Sequence, residues 1–132
     1  MIYMLDTTAC VAYLRQVSPR LTARMRAHAG ELALAAIVAA ELYYGAERSA
    51  DPSANRAQVD ALLDPLPLAM FDRAAARAYG RVRADLAGGG RLIGPNDLCI
   101  AAIALATAST VVTHNVGEFS RVAGLLVEDW EA

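Results

Sequence analysis

The chain has 132 residues, 56% of them hydrophobic and 20% charged, with a net charge of −2, a composition of a globular domain and not of a disordered segment. All twelve Lys+Arg residues are arginine, which excludes Schiff-base chemistry, Walker-type phosphate loops and receiver-type phosphorylation sites, because each needs an ammonium at a fixed place. Phosphate chemistry is left to metal ions or guanidinium groups.

In chain order, residues 2–5 (IYML) form an apolar run that ends at Asp6 and reads as a buried strand. The run has no basic lead and is interrupted by an acid, so no signal peptide is expected. A helix follows from Thr8, carrying Val11 and Leu14 on one face, with the threonines suited to its cap. Ser18-Pro19 opens a second helix with Leu21 and Met25, closed by Gly30. Residues 32–34 predict a strand, 37–47 and 54–63 helices, and 66–70 a strand that Pro65 and Pro67 place near a sheet edge. Residues 72–86 predict a long helix stopped by Gly88-Gly89-Gly90. The next helix, 97–108, is announced by Gly94-Pro95-Asn96. Residues 111–113 and 125–127 complete the set as short strands. The apolar run 98–112 is too short for a membrane span and reads as a buried helix entering a strand. Alternating apolar strands and helices predict one α/β domain with a parallel, helix-covered sheet. Cys10 and Cys99 lie in alanine-rich surroundings without a metal-type spacing, which predicts buried reduced thiols and a cytoplasmic protein.

Charge is uneven along the chain. Residues 15–26 (Arg15, Arg20, Arg24, Arg26) and 73–91 (Arg73, Arg77, Arg81, Arg83, Arg91 against Asp85) each carry +4, whereas residues 41–72 carry −4. A polarised molecule and solvated helix faces are both compatible with that pattern.

Ligands of open α/β sheets bind beyond the carboxyl ends of the strands. Asp6 follows the first strand, and His114 and Asn115 follow the strand 111–113, while Asp97 opens a helix entering the same region. Asp6 and Asp97 also suit helix N-termini, as cap and first-turn acid. Glu41 falls on an apolar stripe with Ile37, Val38, Tyr44 and Gly45, where an ionised carboxylate needs donors, a cation or a buried arginine. Together Asp6, Glu41 and Asp97 would form a cluster that demands a counter-cation. Oxygen ligands alone point to Mg²⁺ or Mn²⁺ instead of zinc, the usual machinery of phosphodiester hydrolysis. Asn115 and Glu118 are further candidates for that site, against readings as a turn residue and a solvated acid. His114 is either a leaving-group acid or incidental, and His28 needs no functional account. Tyr43, Tyr44, Tyr79 and Phe71 read as core or dimer-surface residues in preference to base-stacking platforms, and Trp130 as packing for the last strand.

The segments MLDTTACVAYL, IVAAELYYGAERS, FDRAAARAYGRVRADLAGGGRLIGPNDLCIAA and VVTHNVGEFSRVAGLLVEDW resemble, in order and spacing, the VapC-type PIN-domain ribonuclease toxins of type II toxin–antitoxin systems. The likeness spans nearly the whole chain, and IGPNDLCIAA and HNVGEFSRV are its specific parts. It implies a PIN-like three-layer sandwich over residues 1–132, with a central, mostly parallel sheet of four to five strands covered by helices on both faces. It also implies a Mg²⁺-dependent endoribonuclease, with Mn²⁺ substituting, that cleaves structured RNA such as tRNA or rRNA and so inhibits translation. The catalytic positions would be Asp6, Glu41 and Asp97, with Asp6 and Asp97 as metal ligands and Thr7 and Thr8 in support. Thr8 stands where many relatives carry Asn, and Asn115 where many carry Asp, so the fourth acidic role lies between Asn115 and Glu118. Arg15, Arg20, Arg77, Arg81 and Arg91 would contact RNA phosphates. A cognate antitoxin and a homodimer are the expected partners, with no membrane. A haloacid-dehalogenase-like phosphatase is disfavoured, because Thr8 occupies the place of its second Asp. A degenerate PIN domain that binds RNA or protein without cleavage is the alternative.

Overall fold

A computed structural model of the chain describes residues 2–132. Five short strands, β1 (Tyr3–Leu5), β2 (Leu32–Ala35), β3 (Leu68–Ala69), β4 (Thr110–Val112) and β5 (Val127–Glu128), form one sheet in the order β3-β2-β1-β4-β5. Every pairing is parallel, and Leu5 at the centre lies opposite Leu34 on one side and Val112 on the other. Strands of such a sheet are covered on both faces, and for that reason they read as unbroken apolar runs without alternation. Met4, Leu5, Leu34 and Val111 are fully buried.

The helices are α1 (Thr7–Leu14), α2 (Pro19–Ala27), α3 (Ala36–Glu47), α4 (Pro52–Leu63), α5 (Arg73–Gly88), α6 (Pro95–Ala106) and the single turn α7 (Val116–Phe119). Side-chain oxygens of Asp6, Ser18, Asp51 and Asp72 cap α1, α2, α4 and α5, and proline opens α2, α4 and α6 where its missing N–H costs nothing. Connections from β1 through β3 step outward one way, and those from β3 through β5 step back the other. Right-handed crossovers therefore lay helices on both faces, the expected three-layer sandwich. Strand order reverses beside β1, and that switch point is where ligands of such sheets bind.

Several expectations shift. The 54–63 helix starts earlier, at Pro52, and Gly30 lies in a 3-10 turn (Ala29–Glu31) after α2 has ended. β3 shrinks to two residues, with the Pro67 carbonyl already accepting from the Leu34 N–H. The last strand begins at Val127 instead of residue 125, because Gly124 (φ 81°) and a Leu125 N–H bonded to the Val122 carbonyl keep the chain in a turn. Cys10 is buried but Cys99 is half-exposed. Tyr43 and Tyr79 pack on the core, whereas Tyr44 and Phe71 stand out from it at 63% and 44% exposure.

Trp130 closes the fold. It is buried against Tyr3 at 5.0 Å and His28 at 5.3 Å between ring centroids, with the Arg24 guanidinium 5.1 Å from its ring. Its indole N–H donates to Glu128, which also accepts from Arg24, so the end of the chain is fastened to β1 and α2.

Candidate active site at the carboxyl edge of the sheet

The central strand delivers Asp6 to the switch point, where its N–H donates to the Val112 carbonyl. Its carboxylate is 1% exposed. It accepts from the Ala9 N–H at 2.9 Å, from the Thr8 hydroxyl at 2.8 and 3.0 Å, and from the Thr113 hydroxyl at the end of β4. Burial pushes this carboxyl above the usual aspartate value, and the three donors hold it back down. Asp6 is therefore at once the α1 cap and a buried carboxylate at the switch point of the sheet. The two readings of the sequence do not compete.

Glu41 approaches from α3. The Thr7 hydroxyl donates to its Oε1 at 2.7 Å, and no arginine forms an ion pair with it among the described residues. Its charge acts on both Asp6 and Asp97. Asp97, in the first turn of α6, has its carboxyl pushed up to about 7, first by burial, then by a hydrogen bond with Glu118, then by the charges of Asp6, Glu118 and Glu41. Gly94 lies against it, and a Cβ there would meet Asp97 Oδ2 at 3.9 Å. Glu118 reaches the group from α7, held at 2.9 Å by the Asn115 side-chain N–H, while the Asn115 backbone N–H donates to Thr113. Of the two residues contending for the fourth position, Glu118 meets Asp97 and Asn115 grips Glu118.

Three residues near the site escape a reading of the sequence alone. Thr113 reads as the end of an apolar strand; a hydroxyl in such a run is a usable signal, yet its contact with Asp6, 107 positions away, is visible only in three dimensions. Asp129 and Glu131 lie 3.1 and 3.7 Å from His114 Nδ1. Their ligand atoms and that of His114 fall within 4.8 Å of one another. The His114 backbone N–H also donates to the Thr8 hydroxyl.

The arginines divide by position. Arg15 lines a groove of about 290 Å³ between α1, α3 and α4 that contains Glu41, Leu42 and Gly45. Arg91 lies in the short connection between α5 and α6, six residues before Asp97, and Arg81 and Arg77 step back along the exposed face of α5. Arg20 sits in the first turn of α2, outside this group.

Hard oxygen donors of this kind suit a divalent cation. Asp97 feels the charges of Asp6, Glu118 and Glu41, and Asp6 that of Glu41, so Asp97 resists ionisation as long as nothing positive offsets its neighbours.

Residues 3–125 match the PIN domain family. The chain is 36% identical over 128 residues, 97% of both chains, to the tRNA(fMet)-specific endonuclease VapC of Shigella flexneri. It is also 36% identical over 133 residues, 99% of both chains, to ribonuclease VapC2 of Rickettsia felis. Among solved structures, it superposes on VapBC2 from Rickettsia felis bound to a promoter DNA fragment with a TM-score of 0.93 at 36% identity, covering 98% of this chain and 99% of that one. On DNA-bound VapBC from Salmonella typhimurium the TM-score is 0.94 at 35% identity, with 98% of each chain covered.

Proposed function

The chain belongs to the PIN-domain family and, within it, to the VapC endoribonuclease toxins, and from that premise we propose that its cleavage is Mg²⁺-dependent, with Mn²⁺ substituting, and acts on structured RNA such as tRNA or rRNA. The observation that carries the reading is that Asp6, Glu41 and Glu118, from three other elements, act electrostatically on Asp97 beside the switch point of the sheet, where Asp6 is held by three donors.

Asp6 and Asp97 would hold the cation. When bound, it offsets the charge of the attacked phosphate and lowers the pKa of water, as divalent ions do in phosphodiester hydrolysis. Asp6 is presented in one orientation by Thr8, Thr113 and the Ala9 N–H, and Glu41 is steadied by Thr7. Glu118, aimed by Asn115, supplies the fourth carboxylate, hydrogen-bonded to Asp97. Exposed Arg15, Arg20, Arg77, Arg81 and Arg91 would contact flanking phosphates. Single-stranded loops are the fitting target, because paired RNA hides its base edges in a deep groove.

Residues 1–132 would act as one PIN domain in the cytoplasm, as a homodimer restrained by a cognate antitoxin. An acidic pocket suits a basic inhibitory segment by electrostatic complementarity. Titration with Mn²⁺ followed by electron paramagnetic resonance tests the metal assignment. The wild-type chain should deplete the free Mn²⁺ signal and Asp97→Asn should not; equal depletion by both would misplace the site.

A further inference from the structure

Tyr44 presents a 63% exposed ring. It stands on α3 one turn after Glu41, and a spacing of three places neighbouring side chains on one helix surface. Gly45 continues that face, and a Cβ there would meet nothing within 4 Å. The groove that Glu41 and Gly45 line therefore opens at the residue next to Tyr44. Arg48, one turn further, holds its guanidinium 5.3 Å from the Tyr44 ring centroid and forms no ion pair among the described residues. A polyanion drawn over four carboxylates needs cations along its path, and Arg48 is an uncompensated one within two turns of Glu41.

We propose that Tyr44 and Arg48 form a nucleotide subsite beside the reaction centre, in which an unpaired base of the RNA stacks on the Tyr44 ring and Arg48 contacts the adjoining phosphate. The subsite rests on the endoribonuclease reading above. Stacking on an exposed aromatic is tolerant of base identity, since every base offers a π-face, and a guanidinium over the ring strengthens it. Tyr44 would select for a flipped-out, unpaired nucleotide, not for a particular sequence.

The test uses single-stranded oligoribonucleotides with one abasic position moved through the residues flanking the cleaved bond. Against the wild-type chain, one abasic position should lower kcat/KM roughly 5- to 150-fold, the range that per-base stacking supplies. Tyr44→Ala should show that loss with the intact oligonucleotide and no further loss at that abasic position, while Tyr44→Phe keeps the wild-type pattern. Losses from Tyr44→Ala and from every abasic position that simply multiply would overturn the proposal. So would an altered oligomeric state with kcat/KM unchanged, which would make Tyr44 a contact between copies. A second arm separates the subsite from the nuclease reading. In EDTA, Tyr44→Trp should be quenched by an oligoribonucleotide and not by one abasic at the stacking position, whether or not RNA is cut when a cation is present. Equal quenching by both would remove the subsite and leave the nuclease intact.

Discussion

Asp6 is a carboxylate with 1% exposure, tolerated because hydroxyl and amide donors replace the water it has lost. Thr113 contributes twice, donating to Asp6 and accepting from the Asn115 N–H. Thr113→Val keeps the shape and removes both bonds. It should cost about 1–3 kcal/mol of stability and lower cleavage roughly 10–100-fold, the usual penalty for losing a group that orients a metal ligand. Thr113→Ser should recover most of both, and denaturant titration alongside a cleavage assay reads the pair. Asp97 sets a pH dependence. Its carboxyl keeps its proton in the folded, cation-free chain up to about pH 7, whereas in the unfolded chain it is lost near 3.8. The folded state binds more protons between those values, so stability in EDTA should fall as pH rises from about 4 to 7. The raised Asp6 carboxyl acts in the same direction. Asp97→Asn should flatten the slope, and a divalent cation, which favours the ionised form, should restore stability more at pH 7.5 than at pH 5. Thermal melts across that range would contradict this account if Tm in EDTA climbed with pH.

Local signals decide most of the elements. Asp72 accepts from the Ala75 N–H at 3.0 Å and starts α5; Asp72→Ala should cost about 1 kcal/mol, seen as a lower denaturant midpoint with an unchanged slope. The α5 and α6 helices, β1 and β4 are legible in the sequence to within a residue or two, because apolar periodicity, prolines at N1 and the Gly88-Gly89-Gly90 stop agree with the tertiary packing. The short elements are not. β3 and β5 are two residues each, below any periodicity, and α7 is one turn held by Asn115 and Glu118. The site shows the same division. Asp6, Glu41 and Asp97 are readable because each carboxylate sits where an apolar pattern or a strand end makes it conspicuous. The choice between Asn115 and Glu118 for the fourth place is not legible in the sequence, and the 2.9 Å bond that Asn115 donates to Glu118 is the observation behind proposing Glu118. The contact of Thr113 with Asp6 is not legible there either. The helical spacing of Tyr44 predicts a core or dimer-surface position; its 63% exposure takes it out of the core, and spacing alone does not tell which edge of an apolar stripe is covered.

Over the whole molecule, a net charge of −2 coexists with RNA chemistry because the charges are segregated. The charges of Asp6, Glu41 and Glu118 act on Asp97 at the sheet edge, and Arg77 and Arg81 run along α5 toward Arg91 in the connection that precedes Asp97. Successive exposed arginines four residues apart lie about 6 Å apart along a helix, a spacing on which consecutive phosphates of a strand can be met. Replacing each of the three by Gln in an Asp97→Ala background should weaken tRNA binding and reduce the slope of log K against log salt by about 1 for each arginine that meets a phosphate. An unchanged slope would take α5 out of the RNA path.

Cleavage of RNA by these four carboxylates with a divalent cation is read by incubating purified chain with total tRNA in Mg²⁺ or Mn²⁺, in EDTA, and with Asp97→Ala in parallel. Discrete fragments that need the cation and vanish in a folded Asp97→Ala variant are the predicted result. Fragments that persist in EDTA or in the variant, or tRNA that is bound and left whole by the wild-type chain, would contradict it.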